Sequence, residues 1–101
     1  AYTCRVRFEW DEAKNRSNRR KHGLSFIEAQ QLFEEGEDYL EIFDEAHSTL
    51  EDRFIAIGEI RRGLAVVVYT EREDDLIRII GARFATKREK HLCHLYKGES
   101  I

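Results

Sequence analysis

Residues 53–85 read RFIAIGEIRRGLAVVVYTEREDDLIRIIGARFA, and their reading decides the fold. Three runs rich in β-branched residues, RFIAIGEI (53–60), GLAVVVYTER (63–72) and LIRIIGARFA (76–85), are separated by short turns at Arg61–Gly63 and near Glu73–Asp75. Connections this short predict neighbouring antiparallel strands, a meander. Leu64–Tyr69 is apolar at successive positions, so both faces of that strand need cover and it belongs inside the sheet. Arg78 and Arg83 are five residues apart and would point to opposite faces of a regular strand. Gly81 lies between them, at a position where a bulge would reset the phase.

Working outward, VRFEW (6–10) alternates Val6, Phe8 and Trp10 with Arg7 and Glu9, the pattern of a short half-buried strand. Asp11 can cap a helix running to about His22, with Gly23 closing it in a left-handed conformation. Between Trp10 and Leu24 the only apolar residue is Ala13, so this helix has no apolar stripe to bury. The next segment, LSFIEAQQLFEEG (24–36), does have one. Ser25 and Glu28 form a capping box, Phe26, Ala29, Leu32 and Phe33 share a face, and Gly36 ends the helix. YLEIFD (39–44) reads as a strand and EAHSTLED (45–52) as a loop. Thr86 and Glu89 open a last helix, KREKHLCHLYK (87–97), with Leu92, Leu95 and Tyr96 as its packing edge. The order β-α-α-β-β-β-β-α predicts an α+β fold: an antiparallel sheet of four to five strands, two N-terminal helices and one C-terminal helix. The helices are expected on one face, with the other face open, and the whole of 1–101 is expected to form one domain.

The chain is 101 residues long with a net charge of -3, which conceals a strong segregation. Residues 1–23 carry +4, residues 24–60 carry -10, and residues 61–101 carry +3. A polyanion site beside a surface for a cationic partner would produce this pattern, and so would a solvated surface with local bias. The acidic middle includes Glu34, Glu35, Glu37 and Asp38, which would face a basic partner or simply water. No apolar run approaches a membrane span and the N-terminal residues lack the layout of a signal peptide, so a cytoplasmic protein is expected. Cys4 and Cys93 are accordingly read as reduced thiols.

Three constellations could carry chemistry. The first is basic. Lys14, Asn18 and Lys21 recur at i, i+4 and i+7 on one helix face, with His22 beside them. Arg72 ends one strand, Arg78 and Arg83 lie on the next, and Lys87 and Arg88 begin the last helix, where its dipole favours an anion. Cationic groups drawn from several elements suit phosphodiester chemistry, because charge builds on the phosphoryl oxygens in the transition state. The second is acid–base: His22, Glu71 or Glu89 would move a proton. The third is His91-Leu92-Cys93-His94, with His47 or Cys4 as further ligands. No second paired ligand motif exists, so no metal and no cofactor is expected. There is no phosphate-binding Gly-rich loop, nucleophile elbow or dinucleotide fingerprint. A non-catalytic nucleic-acid-binding module and a plain interaction domain remain alternatives on these grounds.

The stretch FEWDEAKNRSNRRKHGLSF (8–26) resembles F-x-W-D-x-x-K-x-x-x-N-x-x-K-H-G-x-x-F, the N-terminal signature of the BrnT toxins of bacterial type II toxin–antitoxin systems. The similarity continues through EDRFIAIGEIRRGLAVVVYTER and IRIIGARFATKRE and spans roughly residues 8–90. One departure is Gly81, where the family commonly has Ser before Ala-Arg; the tail HLCHLYKGESI lies outside the match. The resemblance implies a RelE-like ribonuclease fold and metal-independent RNA cleavage that arrests translation. It also implies neutralisation by a BrnA-like antitoxin whose ribbon-helix-helix domain carries the complex to DNA. On that expectation Arg78, Arg83 and Lys21 hold the scissile phosphate, and His22 or Glu71 takes the proton of the 2′-hydroxyl. Lys14, Asn18, Arg72, Lys87 and Arg88 would contact the RNA elsewhere.

Overall fold

The three apolar runs form the centre of the sheet. In a computed structural model, which describes residues 6–35, 39–47, 51–73 and 75–96, β3 (Phe54–Ile60), β4 (Gly63–Glu73) and β5 (Leu76–Phe84) make the expected antiparallel meander. β2 (Leu40–Phe43) extends it antiparallel beyond β3, so that strands β2–β5 follow the expectation. The first strand is the exception. β1 (Arg7–Glu9) pairs with β5 in parallel, giving a mixed five-stranded sheet in the order β1-β5-β4-β3-β2. Two helical segments separate β1 from the hairpins, long enough for the crossover a parallel neighbour needs. Both edge strands are short, which limits the unpaired backbone they present.

Side-chain alternation sorts the two faces of the sheet. Ala56 and Ile60 of β3, Ala65, Val67 and Tyr69 of β4, and Ile79 and Ala82 of β5 form one core with Leu24, Phe26, Ala29 and Leu32. This face is covered by α2 (Phe26–Ala29) and α3 (Gln31–Glu35). The sequence predicted one helix here. The chain instead tightens at Gln30, whose carbonyl accepts from the Phe33 N–H at 3.1 Å in an i→i+3 bond. Helix and sheet come very close at Gly58: a Cβ there would lie 2.7 Å from Tyr39 Cβ and 3.1 Å from Leu32 Cγ. Phe33 fills the rest of the layer, with its ring 4.9 Å from Tyr69, 5.4 Å from Tyr39 and 5.7 Å from Phe8. Tyr69 donates to Glu41 at the margin of this core, and burial together with that carboxylate pushes its phenol well above the usual range.

The opposite face carries the last helix, so the helices are not all gathered on one side. α4 (Lys87–Tyr96) lies over Ile57 and Val66, with Leu40, Ile55, Leu64 and Ala85 around them. Its packing residue is not the expected leucine edge. Leu92 and Leu95 are 44% and 57% exposed, whereas Cys93 is 2% exposed and its Sγ lies 3.9 Å from the Ile57 carbonyl. The small thiol lets the helix approach the sheet at one point and leaves the leucines outside. Gly36, Glu37, Asp38, Cys4 and Lys97, together with the side chains of Glu35, His47 and Tyr96, lie outside what is described.

Candidate nucleic-acid site

The site begins with how α1 (Glu12–His22) is held without apolar residues. Its ends behave as the sequence predicts: Asp11 Oδ1 accepts from the N–H groups of Ala13 and Lys14 at 2.8 and 3.2 Å, and Gly23 adopts φ +70°. The docking itself is polar. Asn15, buried to 8% exposure, accepts from the Phe26 N–H at 2.8 Å through Oδ1 and donates to Glu12 at 3.1 Å. Asn18 donates from Nδ2 to the carbonyls of Leu24 (2.8 Å) and Ala82 (2.7 Å) and accepts from the Ala82 N–H at 3.1 Å. Beyond Glu9 no strand among the described residues lies on that side of β5, and the Asn18 amide engages Ala82 as a neighbouring strand would. Both N–H donors of Asn18 are used in this way, which commits them to protein rather than ligand.

Docked through these two asparagines, α1 carries Lys14, Ser17, Lys21 and His22 along a hollow of about 200 Å³ beside Ile80. Ser17 was missed from the sequence, although its spacing from Lys14 and Lys21 puts it on the same helical stripe. Ile80 is the residue left over at a bulge: Val68 pairs with Gly81 and Tyr69 with Ile79. That one extra residue resets the strand. Arg78 opposite Thr70 and Arg83 opposite Val66 therefore point to the same face, the one that α4 partly covers.

A second hollow of about 340 Å³ adjoins the first and shares Asn18 and His22 with it. Its floor is aliphatic, with Ile42, Ile55, Val68, Ile57 and Val66 from the sheet and Leu92 from α4. Arg83 and Glu89 form its polar side. The Arg83 guanidinium makes a two-pronged contact with Glu89, Nη1–Oε1 2.7 Å and Nη2–Oε2 2.6 Å. Hydrogen bonds from Arg83, with help from the Thr86 N–H and hydroxyl, hold the Glu89 carboxyl down at about 2 against some opposing desolvation. The bond to Glu89 in turn raises the pKa of Arg83. Glu89 thus stays ionised and serves to fix the guanidinium and to cap α4, since the Glu89 N–H also bonds to Thr86 Oγ1 at 3.2 Å.

The remaining candidates are dispersed. Arg78 pairs with Glu9 at 3.1 Å, toward β1. Arg72 sits at the irregularity between Glu71 and Glu73 near the end of β4, exposed to solvent. Lys87 and Arg88 are exposed in the first turn of α4. Glu71 stands opposite Ile77, on the face of the sheet that carries Tyr69 and Ile79 and on the other side from Arg83. Glu34 accepts from Gln30 Nε2 at 3.0 Å on the exposed side of α3. Among the described residues no three His, Cys, Asp or Glu side chains are grouped as metal ligands would be, and no helix is long and apolar enough to cross a membrane.

The fold is α+β, a mixed five-stranded sheet with a strongly basic helix docked beside β5. The comparisons with known proteins narrow that class. Residues 10–89 match the model of the family described as "Ribonuclease toxin, BrnT, of type II toxin-antitoxin system", and the chain belongs to that family. It is similar in structure to the Brucella abortus ribonuclease toxin BrnT, with a TM-score of 0.63 and 29% identity over 81% of this chain and 99% of that one. No curated protein matches it. Membership in a type II toxin–antitoxin family brings with it a cognate antitoxin as partner.

Proposed function

We propose that this chain is an endoribonuclease toxin that cuts RNA by attack of the 2′-hydroxyl without a metal ion, in the manner of RelE-like enzymes, and so inhibits translation. The whole chain would act as one toxin domain in the cytoplasm. The observation that carries the reading is the grouping of Lys14, Lys21 and His22 along one hollow whose neighbour holds Arg83. Lysine and arginine bind the phosphate and stabilise the charge that develops on its oxygens. His22 is the general base: it takes the 2′-OH proton, the 2′-oxygen bonds to phosphorus, and the bond to the 5′-oxygen breaks as that oxygen is protonated. The products are a 2′,3′-cyclic phosphate and a 5′-hydroxyl. Glu71, the other base considered from the sequence, lies across the sheet and is not assigned the role. Arg78, Arg72, Lys87 and Arg88 would contact flanking phosphates.

The partner would be a BrnA-like antitoxin with a ribbon-helix-helix domain, and DNA would be reached only through the complex. The chemistry is tested with a defined RNA and its DNA counterpart in excess EDTA. The reading requires that RNA alone is cut and that cyclic-phosphate ends appear. Cleavage of the DNA, or complete loss of RNA cleavage on adding EDTA, would overturn it.

A further inference from the structure

The face of the sheet beneath α4 is built in rows that run across the strands. Leu40, Ile57, Val66 and Arg83 face one another across β2, β3, β4 and β5 in one row. Cys93 packs on Ile57 and Val66 of this row. The next row is Ile42, Ile55, Val68 and Gly81. It ends in a notch rather than a side chain, and the nearest atom a Cβ at Gly81 would meet is Asn18 Oδ1 at 3.9 Å. The aliphatic hollow lies over this second row and reaches Ile57, Val66 and Arg83 of the first, with Ile42 and Leu92 keeping 38% and 44% of their surface exposed. Phosphate chemistry has no use for such a floor.

We propose that this hollow is a nucleobase subsite, taking the base of a nucleotide next to the phosphate that is cut. The inference rests on the ribonuclease reading and adds to it where the RNA is read. Three features favour a nucleotide over another apolar occupant. The volume of about 340 Å³ falls in the range of small-ligand pockets. The hollow shares Asn18 and His22 with the cationic one, which puts an apolar site beside an anion site at the spacing that the flat body and the anionic end of one nucleotide would need. Finally, the Gly81 notch leaves a flat approach between Val68 and α1, where a planar base can enter. Single-stranded RNA is recognised through unstacked bases of this kind.

The test is a titration of the intact protein, followed by methyl NMR, with uridine and guanosine 3′-monophosphates and with ribose 5-phosphate as the baseless control. At least one nucleotide should bind about tenfold more tightly than ribose 5-phosphate. It should also shift the methyls of Ile42, Val68 and Leu92 by ring currents. Gly81→Val fills the notch. Its backbone is free of the positive φ seen at Gly23 and Gly63, and its Cβ has room, so the variant should fold with unchanged circular dichroism. It should cancel the tenfold preference while leaving ribose 5-phosphate binding intact. Equal affinity for nucleotide and sugar phosphate, or unmoved methyls, would overturn the subsite. So would a Gly81→Val variant that binds nucleotides normally but loses affinity for the antitoxin, since the occupant would then be a protein side chain. RNA cleavage measured alongside separates the two claims. Cleavage without base preference leaves the ribonuclease standing and removes the subsite, whereas base preference without cleavage does the reverse.

Discussion

The two helical segments that follow β1 are docked by opposite means. α2 and α3 bury Phe26, Ala29 and Leu32 to zero exposure against an aromatic layer, and Gly58 lets them sit directly on the sheet. α1 buries almost nothing apolar and is held by the amides of Asn15 and Asn18 on backbone groups of Phe26, Leu24 and Ala82. The difference has a physical consequence. A helix fixed by a few directed hydrogen bonds keeps most of its circumference for other work, and here that circumference is basic. The apolar helices have no such freedom, because the face that would act is the face that packs.

The comparison can be broken at several points. The largest effect is expected at Leu32→Ala, which should cost about 2–5 kcal/mol in chemical denaturation. RNA cleavage per folded molecule should hardly change. Gly58→Ala should cost about 1–3 kcal/mol, since its Cβ would sit at 2.7 Å from that of Tyr39. Asn18→Ala leaves three backbone groups without their partner, and a loss of about 1–3 kcal/mol is expected. It should be accompanied by a fall in RNA cleavage, because α1 loses its register on β5. If Asn18→Ala proves neutral in both assays, polar docking is not what holds the helix.

A smaller effect should appear as pH dependence. Glu89 is depressed from 4.5 to about 2, so its contribution is present above the unfolded value and lost as the pH falls from about 4.5 through 2. Thermal unfolding of Glu89→Gln should therefore lie below wild type at pH 7 and converge with it near pH 2. A constant gap across that window would mean that the Arg83 contact contributes no stability.

Much of this was legible in the sequence because it rests on local signals. The Asp11 cap, the Gly23 terminus, the Ser25–Glu28 and Thr86–Glu89 boxes and the β3–β5 meander all depend on residues near one another in the chain. What depended on tertiary contact was hidden. Nothing local says that β1 pairs parallel with β5, that α4 crosses to the other face on Cys93, or that Asn18 borders Ala82, 64 residues away. The phase of Arg78 and Arg83 is an intermediate case. Gly81 hinted at an irregularity, while the unpaired residue proved to be Ile80 beside it. Among the candidate site residues, helix periodicity brought Lys14, Lys21 and His22 together correctly as neighbours. Charge alone could not tell that Arg83 is clamped to Glu89, or that Glu71 lies on the opposite face of the sheet from Arg83.

The central claim is that the basic face of α1 acts on RNA and takes little part in holding the fold. Its most direct test is the double variant Lys21→Gln/His22→Gln, measured for both cleavage and unfolding. RNA cleavage should fall about a hundredfold or more, with the unfolding free energy within about 0.5 kcal/mol of wild type. Wild-type cleavage by a normally folded variant would contradict it.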